Sequence, residues 1–349
     1  MKKWLMRLGF LAALAFLSLT IVNASWLADT PRGKVKLIAH RGIAQVFGQT
    51  GVDRGTCTAA RIEVPYHPYL ENTAHSAKRS GELGASMVEV DIAPTKDGKL
   101  AVFRDRTLNC RTNGSGAVRA ATLEEIAALD AGYGYTADGG VTFPFRGKGH
   151  TIQPIGRWMR SIPFRAEVMF NFQSDDPHEA DMLAAALKEF GRDPEDEGDA
   201  FYGHPAPVAR IKEIYPNAWA WSTEAANQCS SDYLLTGWTG MIPGSCTGGT
   251  MIIPLDRLWM FWGWPNRLVE RMESVGARII VTGGNSTGES MAGLTLPEQL
   301  GDIPRSFNGY VWVDDIWTVG PALYPGKDTR REFQVADAAE ALAKRREQR

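Results

Sequence analysis

The sequence has no excess of charge of either sign. Its 38 lysine and arginine residues are balanced by 40 aspartate and glutamate residues, which gives a formal net charge of -2. A protein without a basic field does not attract the phosphate backbone of a nucleic acid over a distance. We therefore expect no nucleic-acid partner, and we expect any anionic ligand to be bound by a local group of side chains.

Cysteine is also scarce, and no two cysteines have the short spacing of a zinc site. The four cysteines are Cys57, Cys110, Cys229 and Cys246. An even number of cysteines is typical of disulfides in a chain that leaves the cytoplasm, and four cysteines allow three pairings. We favour Cys57 with Cys110 and Cys229 with Cys246, because each pair would join loops that the barrel described below brings together. Four free buried thiols are the alternative.

The N-terminus has the pattern of an export signal. Three basic residues among the first seven precede an uncharged stretch from Leu8 to Ala28. Its most apolar part, Leu8 to Val22, has the length of a signal peptide, and Val22-Asn23-Ala24 is an acceptable cleavage site. The whole stretch is also long enough to cross a bilayer as a helix with its basic end inside. We therefore expect residues 1–28 to be a signal peptide or a membrane anchor, and the protein to be periplasmic, secreted or anchored in the membrane.

The rest of the chain alternates between short apolar runs and helical segments. This alternation is typical of a parallel sheet built from successive strand-helix units. About eight strands within residues 33–325 favour a closed (β/α)8 TIM barrel over an open doubly wound sheet. The predicted strands are Val35–Ala39, Met87–Ile92, Leu100–Phe103, Glu167–Phe172, Trp219–Ser222, Met251–Ile253, Arg278–Thr282 and Gly309–Val313, and the predicted helices are Thr73–Leu83, Thr122–Leu129, Pro177–Phe190, Pro207–Ile214 and Pro265–Val275.

Two segments do not follow this alternation. Residues 132–150 are rich in glycine and aromatic residues, and we expect a long loop that either covers a site or is disordered. Residues 328–349 form a highly charged tail, for which a surface helix is one possible form. We expect this tail to be dispensable for chemistry.

Candidate catalytic residues lie in the first two predicted strands. The first strand is followed by His40 and Arg41, which places them at the C-terminal mouth of a barrel, where TIM-barrel enzymes carry their active sites. The second contains Glu89 and Asp91, and their two-residue spacing puts both carboxylates on one face. Adjacent carboxylates repel each other unless a cation lies between them, so Ca²⁺ or Mg²⁺ is the expected ligand. A structural histidine and a pair of surface acids are the alternatives, although an acidic pair in an apolar strand argues against the second.

Five ordered motifs then resemble a known family. They are His40-Arg41-Gly42, Glu71-Asn72-Thr73, Gly84-Ala85 followed by Glu89-Val90-Asp91, Thr95-Lys96-Asp97-Gly98, and Asp105 with Leu108 and Thr112. Together they resemble the N-terminal signature of the glycerophosphodiester phosphodiesterases. The resemblance is specific over residues 34–132 and diffuse beyond them, and the segment 309–314 resembles the last barrel strand of these enzymes.

The resemblance implies a metal-dependent TIM-barrel hydrolase. Such an enzyme cleaves the phosphodiester of deacylated phospholipids and releases glycerol 3-phosphate and an alcohol. His40 and Arg41 would be the catalytic residues, with His40 moving a proton and Arg41 also holding the substrate phosphate. Glu89 and Asp91 would bind the metal, and Glu71 would support the site from outside.

Three positions depart from the family pattern. Arg104 precedes Asp105 where the family has a second catalytic histidine, and Asn171 and Gln173 stand where a glutamate and a lysine are common. Asn171 can still ligate a hard cation through its amide oxygen. Gln173 would face the phosphate without a positive charge, and Arg104 can supply that charge instead. Asp105, like Glu71, would support the site. An arginine cannot easily replace a general acid that contributes ~10²–10⁴-fold, so we expect either slow hydrolysis or changed substrates.

Two other functional classes remain open. One is a non-catalytic relative that binds glycerophosphodiesters or lipid headgroups, and the other is a phospholipase D-like enzyme that cleaves intact lipids. The aromatic cluster from Trp259 to Trp264 could face a membrane or substrate, but we favour core packing at a strand-helix junction.

Overall fold

The strands of this chain form a nearly closed barrel. The computed structural model describes residues 2–49, 51–52, 55–163, 165–284 and 291–347. These residues form ten strands, namely β1 Lys36–Ala39, β2 Met87–Pro94, β3 Leu100–Val102, β4 Gln153–Pro154, β5 Glu167–Phe172, β6 Ala200–Gly203, β7 Trp219–Ser222, β8 Thr250–Pro254, β9 Arg278–Thr282 and β10 Tyr310–Val313. Eight of them pair in parallel in the order β7-β6-β5-β2-β1-β10-β9-β8. Trp219 Nε1 donates a hydrogen bond to Thr250 Oγ1 at 2.9 Å and so links the two ends of this order. The predicted TIM barrel is confirmed.

The barrel interior is filled by side chains from alternate strand positions, as the two-residue period of a strand requires. Glu89 and Asp91 follow Met87 on the same inward face of β2, so the predicted shared face is correct. Apolar and aromatic side chains fill the layers below, which leaves the polar groups to line the carboxyl-end mouth. The buried interior residues include Ile38, Met87, Met169, Tyr202, Trp219, Trp221, Ile252, Ile280, Tyr310 and Trp312.

One predicted strand does not belong to the barrel, and one barrel strand was not predicted. The apolar run at β3 pairs antiparallel with the end of β2, where Ile92 is opposite Val102, and so forms a hairpin outside the barrel wall. The missing barrel strand is β6, which lies between β5 and β7. It has only four residues, Ala200–Gly203, and the helix that follows starts at Pro205. A run this short carries almost no periodic signal.

Eleven α-helices are formed by the described residues. Those predicted from the sequence correspond to α2, α3, α5, α7 and α9, with ends that differ by a few residues. A helix such as α10 was missed because six of its eight residues are buried, so it has no polar face and no amphipathic period. The helices are α1 Lys2–Val22, α2 Ala74–Glu82, α3 Leu123–Ala127, α4 Ile155–Ser161, α5 His178–Phe190, α6 Pro194–Glu197, α7 Pro205–Ile214, α8 Thr223–Thr236, α9 Asn266–Ser274, α10 Ile316–Leu323 and α11 Glu332–Glu347.

The long loop and the disulfides agree with the sequence-based expectations. Residues 132–150 form only turns and bends, and the buried rings of Tyr135 and Phe145 meet at 5.7 Å between centroids. Tyr135 also lies 5.9 Å from the guanidinium of Arg111. Both favoured disulfide pairings are present, and the Cys57–Cys110 bond packs beside this loop. The loop therefore covers residues that support the barrel mouth.

The charged tail is anchored to the barrel. It contains α11, and Arg345 near the end of this helix is only 6% exposed. The guanidinium of Arg345 forms ion pairs with Glu63 and Asp315, both at 2.9 Å. An unpaired buried charge is costly, so these partners hold α11 in place. The surface helix suggested by the sequence is thus present, and it is fixed by a buried ion-pair network.

Candidate active site

His40 joins the first and last strands of the barrel at the mouth. It follows β1, and its Nδ1 atom lies 2.7 Å from Oδ1 of Asp314, which follows β10. An ionised carboxylate can only accept, so this contact places the imidazole proton on Nδ1 and leaves Nε2 free. Burial and the charge of Arg41 lower the pKa of His40, against the opposing effect of Asp314. A neutral imidazole with a free Nε2 can accept a proton.

Arg41 is held in an unusual backbone conformation. Its φ is +64°, and Asn72, whose N–H donates to the Arg41 carbonyl at 2.9 Å, has a φ of +61°. Left-handed conformations cost about 1–3 kcal/mol each and persist where the surrounding structure fixes them. Gly42 follows because a Cβ there would lie 2.7 Å from Ser76 Oγ and 2.9 Å from the Ala77 nitrogen. The His40-Arg41-Gly42 motif is thus a tight turn that aims Arg41 into the mouth.

Glu89 and Asp91 are a buried carboxylate pair, 0% and 1% exposed. Glu89 accepts from the Tyr202 hydroxyl at 2.8 Å and from the Arg41 backbone N–H at 2.9 Å. Burial, with the adjacent charge of Asp91, raises the pKa of Glu89 well above its usual range. The mouth therefore disfavours two negative charges at these positions unless a positive charge is added.

Asp91 is surrounded by donors. Arg41 Nε lies 3.1 Å from its Oδ2 atom, and Asn72 Nδ2 donates to the same oxygen at 2.9 Å. Its Oδ1 atom accepts from Asn171 Nδ2 at 2.7 Å and from the Gln173 side-chain amide. Burial acts to raise the pKa of Asp91, but Arg41 and Arg104 outweigh it, and the net shift is downward. Asp91 is the ionised member of the pair.

The donor set fits a hard cation that takes its remaining ligands from water and substrate. Mg²⁺ in particular is commonly held by one or two carboxylates together with phosphate oxygens. Glu89 and Asp91 would provide the carboxylates, and Asn171 would provide an amide oxygen if its NH₂ group, which now donates to Asp91, turned away. Within the described residues, no group of three or more His, Cys, Asp or Glu side chains is arranged to hold a metal. A cation at this position would depend on the Glu89 and Asp91 pair.

Arg104 adds a second cation beside Arg41. The charge of Arg41, together with burial, lowers the pKa of Arg104 to about 10. Its Nη1 atom forms a long ion pair with Oδ1 of Asp105 at 3.8 Å. Asp105 is instead paired with the buried Arg111, whose Nε also donates to Glu71 at 2.9 Å. Arg104 therefore retains positive charge that an anionic ligand can neutralise.

The residues predicted to act in catalysis, metal binding, phosphate binding or support of the site lie in or beside this mouth. Glu71 and Asp105 are joined through Arg111, which sequence reasoning did not single out. Tyr202 was missed because its strand was not predicted. Asp314 was missed although a carboxylate directly after the last strand of a barrel was a usable signal. The remaining buried histidine near the mouth motifs, His67, instead contacts Gln45 at 3.0 Å.

Comparisons with known proteins match part of this chain to one family. Residues 59–197 match the model of the glycerophosphoryl diester phosphodiesterase family. A glycerophosphodiester phosphodiesterase of Caldanaerobacter subterraneus is 53% identical over 62 residues, which are 18% of this chain and 26% of that protein. One from Bacillus subtilis is 41% identical over 80 residues, 23% of this chain and 27% of that protein. The matched segments therefore span about a quarter of the curated relatives.

Solved structures share the fold over most of the chain. A glycerophosphoryl diester phosphodiesterase domain from Mycobacterium tuberculosis aligns with a TM-score of 0.59 and 15% identity, over 84% of this chain and 99% of that one. An Oleispira antarctica phosphodiesterase, solved with its product sn-glycerol-3-phosphate, aligns with a TM-score of 0.54 and 17% identity. The alignment covers 83% of this chain and 97% of that one. These structures share the TIM-barrel fold with this chain. Residues 59–197 of this chain are similar to the glycerophosphoryl diester phosphodiesterase family.

Proposed function

We propose that this protein hydrolyses glycerophosphodiesters to glycerol 3-phosphate and an alcohol, slowly and with the help of a divalent cation. The observation that carries the proposal is the grouping of Arg41, Arg104 and His40 over the buried pair Glu89 and Asp91. Two guanidinium groups suit a phosphodiester anion, and the family relationship supports that substrate class. The proposal explains why two arginines converge at the mouth although Arg104 has only a long ion pair with Asp105.

Arg41 and Arg104 would bind the non-bridging phosphate oxygens. Arg41 is fixed by its backbone bond to Glu89 and by its ion pair with Asp91. Arg104 has greater freedom, because its contact with Asp105 is long. Gln173 donates to Asp91 through its side-chain amide and would offer the phosphate no positive charge. The positive charge needed at the phosphate would thus come from the arginine pair.

His40 would move the proton. Water attacks phosphorus, the bond from phosphorus to the alcohol oxygen breaks, and the departing oxygen has to gain a proton while the water loses one. Asp314 orients the imidazole and stabilises its charged form, as carboxylate partners of catalytic histidines do. A single histidine covers one side of this exchange. Arg104 stays protonated and cannot serve as the second proton donor, which is the reason for the proposed slow rate.

A bound Ca²⁺ or Mg²⁺ would neutralise charge developing on the phosphate oxygens. Glu89, Asp91 and Asn171 would hold it. The two acids come from one buried strand and Asn171 from its neighbour, where the register places Asp91 opposite Asn171. The barrel thus fixes the spacing of all three groups.

Two alternatives use the same mouth. A binding protein without catalysis is favoured by the amide donors of Asn171 and Gln173, which already satisfy one oxygen of Asp91. A phospholipase D-like activity on intact lipids is favoured by the apolar helix α1, whose residues Lys3–Val22 are long and apolar enough to cross a membrane. A helix of this kind at the N-terminus is typical of a signal sequence as well as of an anchor.

The decisive experiment is product analysis with the purified full chain. We expect glycerol 3-phosphate to be released from glycerophosphocholine or glycerophosphoethanolamine in the presence of Mg²⁺ or Ca²⁺, and His40→Ala to abolish the release. Binding of glycerophosphodiesters without any product would establish the binding protein instead. Release of free headgroup alcohol from phospholipid vesicles, with soluble diesters left intact, would establish the lipid-cleaving alternative.

A further inference from the structure

The end of α1 is built into the side of the barrel. Arg271 of α9, only 7% exposed, donates through Nη2 to the Val22 carbonyl at 3.0 Å and through Nη1 to Asn23 Oδ1 at 3.0 Å. The amide of Asn23 in turn donates to the Trp238 carbonyl at 2.7 Å. Val22 and Asn23 thus provide two acceptors for this guanidinium, in addition to the Tyr233 hydroxyl and the Gly237 carbonyl, and so connect the end of α1 to α8 and α9.

The residues after α1 continue this attachment. Ala24 is 2% exposed, and Ser25 Oγ accepts a hydrogen bond from the backbone N–H of Asn266 at 3.0 Å, at the start of α9. A Cβ at Gly240 would lie 2.7 Å from Val22 Cγ1, so glycine lets the chain approach closely. The predicted cleavage site Val22-Asn23-Ala24 is therefore packed into the fold, and this packing supports retention of α1.

Four exposed tryptophans lie in the segments of chain next to this attachment point. Trp26, Trp238, Trp259 and Trp262, which we call the tryptophan surface, are 76%, 43%, 81% and 44% exposed. A series of hydrogen bonds connects Trp262 to the end of α1. The Trp262 carbonyl accepts from the Tyr233 hydroxyl, this hydroxyl accepts from Arg271, and Arg271 donates to the Val22 carbonyl. The prediction that the 259–264 cluster packs into the core is wrong for Trp259 and Trp262. Only part of that cluster turns inward, as Phe261 does at 2% exposure.

The chemistry of this surface fits a lipid interface. Tryptophan is enriched where a protein meets the headgroup layer, since its ring is apolar and its N–H can reach water or headgroups. A helix of 21 residues is about 30 Å long, which matches the hydrocarbon core of a bilayer. The first residues outside the bilayer are then those at Asn23. The tryptophan surface adjoins this level because Trp238 contacts Asn23.

We propose that α1 is retained as a membrane anchor and that the tryptophan surface lies against the lipid bilayer, so that the barrel rests on the membrane on its α8–α9 side. Large exposed apolar patches on soluble domains usually mark an interaction site. The continuity of this patch with a membrane-length helix selects the bilayer over a protein partner. The proposal concerns attachment alone and does not depend on the proposed hydrolysis.

The test uses the full chain reconstituted into phosphatidylcholine–phosphatidylglycerol vesicles. Because the native cysteines are paired, Trp259→Cys provides a single thiol for a nitroxide spin label. Val141→Cys is the matched control, since Val141 is 80% exposed and belongs to the loop beside β2, far around the barrel from β8. For each label we measure the accessibility ratio, which is the collision rate with lipid-dissolved oxygen divided by the collision rate with a water-soluble nickel complex. We expect this ratio to be at least threefold higher for the label at 259 than for the label at 141.

Two results would overturn the proposal. Equal accessibility ratios at the two positions would place Trp259 in water. Protection of position 259 from both reagents would place it against protein, such as a second copy. Trp262→Cys repeats the measurement if labelling at 259 disturbs folding. Intact mass of the membrane-derived protein tests retention, and a mass without residues 1–24 would refute the anchor.

Discussion

The imidazole Nδ1 of His40 lies 2.7 Å from Asp314 Oδ1, so the first and last strands of the barrel jointly orient one proton-transfer group. This relationship defines the first prediction. Asp314→Asn replaces an acceptor with a side chain that can also donate, so the tautomer of His40 is no longer fixed. We expect kcat for glycerophosphodiester hydrolysis to fall by ~10²-fold with little change in KM. Steady-state kinetics at fixed metal concentration measure both, and a kcat within twofold of wild type would contradict the orienting role.

The second prediction concerns the carboxylate pair. A cation that binds only the folded protein stabilises it by mass action, by about 2.7 kcal/mol at a hundredfold excess over Kd. Asp91→Asn should reduce the rise in Tm on adding Mg²⁺ or Ca²⁺, because it removes the ionised ligand. Asn171→Glu should increase the rise, because it adds a third carboxylate beside Asp91. Differential scanning fluorimetry with and without chelator provides the measurement.

The matched control for this metal prediction is Glu189→Gln, an exposed acid at the C-terminal end of α5, at the end of the barrel opposite the mouth. It should leave the metal-induced shift unchanged. Equal shifts in wild type, Asp91→Asn and Asn171→Glu would remove Glu89 and Asp91 as the metal site.

A third prediction concerns stability and pH. Burial lowers the pKa of His67 to about 4, while Gln45 donates to its Nδ1 atom. The unfolded chain takes up a proton on this residue near pH 6.5 and the folded chain only near pH 4, so stability falls as the pH drops through that window. The loss approaches ~3 kcal/mol below the window, at 1.36 kcal/mol per pKa unit.

Urea unfolding at pH 7 and pH 4.5, with disulfides intact, measures this effect. Other groups titrate over the same range. The change in the free energy of unfolding between the two pH values is therefore compared between wild type and His67→Gln. The variant should lose less stability than wild type between the two pH values. Parallel losses in both proteins would show that His67 does not contribute.

The sequence predicted those parts of the site that follow from local geometry. Glu89 and Asp91 share a face because strand periodicity is two, and His40 lies at the mouth because it follows a strand. Asp314 could not be paired with His40 in the same way, since 274 residues separate them and only barrel closure brings them together. The exposure of Trp259 was also missed, because an aromatic run has the same composition in a core and on a surface that meets lipid.

The fourth prediction concerns Arg104, which stands where the family has a proton-donating histidine. With His40, Arg41, Glu89 and Asp91 in place, protonation of the leaving group is the step that lacks a donor. A nitrophenyl phosphodiester releases an oxygen that barely needs a proton. We therefore compare two rates, that on the nitrophenyl ester and that on choline or glycerol esters. The ratio of the first rate to the second should be far higher for this protein than for a relative with both histidines.

Arg104→His should then raise turnover of the poor leaving groups at least tenfold, a cautious part of the ~10²–10⁴-fold that a positioned acid contributes. Arg104→Gln is the matched control, because it removes the same charge without adding a proton donor, and it should weaken binding with no gain in turnover. Both variants remove a cation next to Arg41, so KM should rise in each, while kcat should rise only in the histidine variant. If Arg104→His folds and binds metal but turns over no ester faster than Arg104→Gln does, the missing acid is not what limits this enzyme, and Arg104 has a role of its own in holding phosphate.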